Sequence, residues 1–129
     1  MDVNVKNGTI AAEITRLEDV IQKEIAAKNF VRAVMLAQKL GYPKGEIRHL
    51  QELALKQMAC EYRNGIAVQN LAKEWGFSHA DLENLLRAAL EEYEKNSDKK
   101  RLEQCYDAAT SKYLTLRQWI EHFLNTSKK

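Results

Sequence analysis

Leu36-Ala37-Gln38-Lys39-Leu40-Gly41-Tyr42-Pro43 and, 35 residues further on, Leu71-Ala72-Lys73-Glu74-Trp75-Gly76-Phe77-Ser78 are two versions of one pattern. In each, a short helical stretch runs into a Gly, then an aromatic, then a residue suited to begin another helix. Gly after the last periodic residue fits the left-handed position that closes a helix. Pro43 fits the first turn of the next helix, where its missing N–H costs nothing. Ser78, with Asp81 three residues on, resembles a capping box. The correspondence continues through Glu46 and Asp81, Ile47 and Leu82, Leu50 and Leu85, and Ala54-Leu55 and Ala89-Leu90. Two helical hairpins are expected, 30–62 and 66–95. A weaker third copy, Tyr113-Leu114-Thr115 with Trp119, lacks the Gly.

The flanks read the same way. Residues 1–8 form a polar lead-in, and an N-terminal helix over 9–28 carries the stripe Ile10, Ile14, Leu17, Ile21 and Ile25. Its spacings of four and three approach coiled-coil periodicity, so a homodimer is a candidate assembly. Leu17 and Ile21 are expected inside the monomer, with Ile10 and Ile14 open to a second chain. After a polar hinge at 96–100, a C-terminal helix pair is expected over 98–125. Its first member runs through Leu102, Cys105, Tyr106 and Ala109. Its second starts at the Thr115 and Gln118 capping box and carries Leu116, Trp119, Ile120, Phe123 and Leu124. The fold class is therefore all-α, a multihelical single domain over 1–129 with six or seven helices.

Composition agrees. Hydrophobic residues at 45% and charged residues at 29% suit a globular chain, and five Gly with one Pro are too few for a β-sandwich or barrel. No apolar run is long enough to cross a membrane, and the first residues lack a signal-peptide layout. Cys60 and Cys105 read as thiols in a reduced cytoplasm. The net charge of +2 hides segmentation. Residues 30–57 hold five basic and two acidic groups, 65–94 two and six, and 95–129 eight and four.

Each repeated unit resembles the helix–turn–helix motif of DNA-binding proteins. The residues that carry the likeness are Ala37, Gly41, Tyr42, Ile47 and Leu50 in the first unit, and Ala72, Gly76, Phe77, Leu82 and Leu85 in the second. Ala lets the helices cross closely, Gly takes the turn, and the apolar anchors fix the hairpin angle. The resemblance covers about twenty residues per unit. It implies that the start and outer face of the second helix read nucleic acid. In the first unit these residues are Lys44, Arg48 and His49, with Arg32 adding charge. In the second they are Ser78, His79, Glu83, Asn84 and Arg87. Phosphate contacts supply much of protein–DNA affinity, so the acidic second unit is the poorer reader.

Catalytic machinery is not expected. His49, His79 and His122 have no nearby partner at metal-ligand spacing, and no nucleophile motif or phosphate-cradling Gly loop is present. Glu91, Glu92 and Glu94 read as a solvated helix face. Trp75, Trp119, Tyr42, Phe77 and Tyr113 read as plugs at helix junctions. No cofactor and no metal is implied. The expected function is a non-catalytic binding module, with duplex DNA or a protein as partner and no membrane. A continuous positive face would favour DNA. An exposed apolar stripe would favour a protein.

Overall fold

A computed structural model describes the backbone of residues 2–127 and the side chains of residues 11–127. Among these, seven α-helices, one π-helical turn and a single two-stranded hairpin make up an all-α architecture. The helices are α1 (Asp2–Ala26), α2 (Phe30–Lys39), α3 (Lys44–Lys56), α4 (Gly65–Glu74), α5 (His79–Lys95), α6 (Lys99–Leu102) and α7 (Leu116–Ser127). The π-turn spans Gln57–Glu61, and the strands are β1 (Cys105–Asp107) and β2 (Lys112–Leu114). Where the sequence reads as one domain, the contacts divide into two compact units, 1–54 and 55–129.

In the first unit α1 packs on α2. It takes in the stretch expected as a polar lead-in. Ile21, Ala33, Val34, Ala37, Leu50 and Ala54 are buried. Ile21 is enclosed as the stripe predicts, whereas Leu17 is only half-buried. Ile14 stands 42 % exposed, and the Ile10 side chain lies outside the described residues.

The turns have one recurring geometry. Gly41 and Gly76 sit at φ 70° and 71°. In each case the next residue's N–H reaches back to an Ala carbonyl, Tyr42 to Ala37 at 3.0 Å and Phe77 to Ala72 at 2.8 Å. The Gly N–H bonds Gln38 or Lys73, completing the two-bond Schellman closure. The same closure, with non-Gly residues at positive φ, ends α1 at Lys28 and α5 at Ser97, while beyond Arg63, also at positive φ, the Asn64 N–H reaches one residue further back, to Met58 at 2.9 Å. The bounds of α4 and α5 also start 35 residues after those of α2 and α3.

The second unit is built on α5 and α7. Leu116, Trp119, Ile120, Phe123 and Leu124 recur at helical spacing and are all buried, as are Leu82, Leu86, Ala89 and Leu90 on α5. Both capping boxes form: Ser78 with Asp81, and Thr115 with Gln118.

The helix expected through Cys105, Tyr106 and Ala109 is not there. Helix α6 stops at Leu102, and Cys105 and Tyr106 enter β1, paired with Leu114 and Tyr113 of β2. Local chemistry overrides the apolar spacing. Asp107 Oδ2 accepts from both the backbone N–H (3.0 Å) and the hydroxyl (2.7 Å) of Thr110, while Ser111 takes φ 57°, so the chain reverses. Tyr113, expected as a junction plug, is instead 66 % exposed and meets Tyr106 edge to face.

Candidate interaction groove

The π-turn sets one wall of a groove within the second unit. Its wider spacing, with the Tyr62 N–H bonded to Gln57 at 3.2 Å, carries Tyr62 outward and Arg63 into the left-handed region. Arg63 Nη1 donates to the Leu114 carbonyl at 2.6 Å. Its Nη2 donates to the Arg101 and Glu103 carbonyls at 3.1 and 2.8 Å. One guanidinium thus ties the π-turn to α6 and to the hairpin. Arg101 returns the link through Glu61 at 2.9 Å, where both side chains are largely shielded.

Helix α4 starts immediately, with the Asn64 side chain accepting from the Ala67 N–H. Its Gly65 lies against α7: a Cβ there would stand 3.3 Å from the Phe123 ring. Phe123 in turn stacks on Trp119, centroids 5.3 Å apart and planes within 4°. The result is a cleft of about 790 Å³ floored by Trp119 and Phe123. Tyr62, Ile66 and Tyr106 also line it. These three side chains are 63, 75 and 58 % exposed.

Its electrostatics are quiet. Glu61, Arg63 and Asp107 line the cleft, and each is held by the partners given above. Cys60, behind it, is buried, which pushes its thiol up to about 11. Tyr93 is pushed up to about 12, chiefly by burial. Cys105 is exposed beside Tyr106. Among the described residues no group of three His, Cys, Asp or Glu is placed to hold a metal ion. Among those residues, too, no helix is long and apolar enough to cross a membrane.

The residues implied for nucleic acid are only partly gathered. Lys44 and Arg48 lie one turn apart on α3, and Lys44 and His49 are exposed. Arg48 is half-buried and engaged within the protein. Arg32 stands on α2, 72 % exposed, with Glu24 of α1 at 3.9 Å. Glu46 and Glu52 share α3 with the cations. In the second unit two of the corresponding residues, His79 and Arg87, meet α7, while Ser78 and Asn84 are exposed. The His79 ring nitrogen lies 2.9 Å from the Leu124 carbonyl. Arg87 bridges Glu83 at 3.1 Å and Glu121 at 2.5 Å.

Sequence reasoning missed Tyr62, Ile66 and Tyr106 as site residues. Tyr62 follows a helical run, and nothing local announces a π-turn. For Tyr106 a signal did exist: two Tyr-containing triplets flanking Asp107 and Thr110, a strand–turn–strand cue. No family model, no curated protein and no solved structure matches this chain.

Proposed function

We propose that the chain is a non-catalytic protein-interaction module whose groove holds the apolar surface of a partner protein. The observation that carries the reading is the exposure of Tyr62, Ile66 and Tyr106 beside the stacked Trp119 and Phe123. Large apolar side chains gathered around a recess, with charged groups already engaged, are how protein-binding cores are composed. A reducing, cytoplasmic setting fits the two free thiols.

A second reading keeps the helix–turn–helix resemblance and assigns duplex DNA to α2 and α3. Exposed Lys44 and His49 at the start of α3 favour it. The half-burial of Arg48, the Glu24 beside Arg32 and the two acids on α3 weigh against it. Site-specific photo-crosslinking in cells separates the two. A benzophenone at position 62 should yield protein adducts, and one at position 44 none to nucleic acid. Nucleic-acid adducts at 44 with no protein adduct at 62 would reverse the assignment.

A further inference from the structure

The groove carries an inference that rests on the protein-interaction reading and names its partner. We infer that it is one face of a symmetric contact with a second copy of this chain. A two-fold interface uses the same patch on both molecules, so the patch must hold both what projects and what receives. Here the two lie side by side. Tyr62 and Ile66 project at 63 and 75 % exposure from the end of the π-turn and the first turn of α4. The cleft of about 790 Å³ opens next to them over Trp119 and Phe123.

Charge points the same way. Two copies of a patch bring each charge toward its own kind, which is costly when the charges are unengaged. On this patch they are not. Glu61 is paired with Arg101 at 2.9 Å, and Arg63 is turned inward onto three carbonyls. Asp107 accepts two hydrogen bonds from Thr110. A phosphate-bearing strand or an acidic peptide would find Arg63 already committed. A like surface, whose charges are already engaged, meets no such mismatch, and exposed Tyr is among the residues that anchor interfaces.

The test is sedimentation velocity on the intact chain up to about 0.5 mM, where even a weak association registers. The expected result is a concentration-dependent dimer. Ile66→Glu and Tyr62→Ser each shift the midpoint to at least about tenfold higher concentration, the effect of a lost interface anchor. Ile14→Glu, on the exposed stripe of α1, leaves it in place. Hydrogen exchange on the unaltered chain reads the same point without a variant, should either fail to fold. Amides of 62–66 and 105–107 should gain protection as concentration rises. A monomer throughout overturns the inference, as does a dimer lost with Ile14→Glu and kept with Ile66→Glu, or exchange at 62–66 that ignores concentration. A monomer that still gives adducts to another protein at position 62 leaves the protein-interaction reading standing and removes only the second copy.

Discussion

Replacing Gly76 by Ala isolates one physical cause, because a Cβ at this position meets nothing within 4 Å and the backbone sits at φ 71°. No packing is disturbed, so the whole penalty is that of an L-residue in the left-handed region, about 1–2 kcal/mol. For a compact unit of this size that corresponds to a fall in melting temperature of roughly 4–16 °C, or a urea midpoint lower by roughly 1 M at unchanged slope. The protein supplies its own reporter: both tryptophans, Trp75 and Trp119, lie in 55–129, so their fluorescence follows the unit that contains the substitution. Asn tolerates the left-handed region better than Ala, so Gly76→Asn should recover part of the loss. Gly41→Ala, at φ 70° and equally open, should repeat the penalty in the first unit, read by far-UV dichroism. Gly45 gives the opposite sign. It lies in the first turn of α3, without positive φ and with open space, so Gly45→Ala should stabilise, by less than the about 1 kcal/mol of a helix interior. Equal stability of Gly76→Ala and the unaltered chain, or Asn proving no better than Ala, would refute the reasoning.

Iodoacetamide on the native protein should modify Cys105 quickly and leave Cys60 untouched, because Cys60 is buried with its thiol raised to about 11 and the thiolate is the reactive form. Intact-mass spectrometry should show one addition, and two at equal rates would contradict the burial. The bond from Arg87 holds the Glu121 carboxyl below its usual range. A depressed carboxyl contributes stability that is present above its ordinary value of 4.5 and disappears as pH falls through the lowered one. Glu121→Gln should therefore cost a small, constant amount of stability at neutral pH and converge on the unaltered chain in acid; a difference that grows toward low pH would reverse that sign.

What could be read from sequence was whatever local chemistry decides. Gly41, Gly76 and the Ser78 and Thr115 caps each act on neighbours within a few residues, and each stands where its residue type requires. The apolar face of α7 was equally readable, since five residues at helical spacing leave one face to bury. The groove was not, because its making is long-range. Arg63 closes it by bonds to carbonyls 38, 40 and 51 residues away, and no pattern within a window of eleven to eighteen residues contains that. The spacing of Leu102, Cys105, Tyr106 and Ala109 is truly helical and still misleads, because an aspartate and a threonine three apart settle the turn between them. Periodicity says which face would be buried if a helix formed. It does not say that one forms.

The segmented charge has a similar resolution, and it bears on how the two hairpins part company. An acidic stretch is followed by a basic one, and within the second unit several of these charges pair with each other at the surface. Arg117 of α7 pairs with Glu94 of α5, Arg87 bridges Glu83 and Glu121, and Lys56 reaches Glu92 at 3.6 Å. These pairs are half-exposed and weak as stabilisers. The apolar faces of α5 and α7 pack together, and at the edge of that contact His79 sits at the Leu124 carbonyl and Arg87 is engaged by Glu121. The same placement of α7 brings Trp119 and Phe123 to the foot of α4, where Gly65 leaves room for a ring against the backbone. The segment that packs its apolar face on α5 therefore also floors the groove, so one helix, α7, serves both the core and the candidate site.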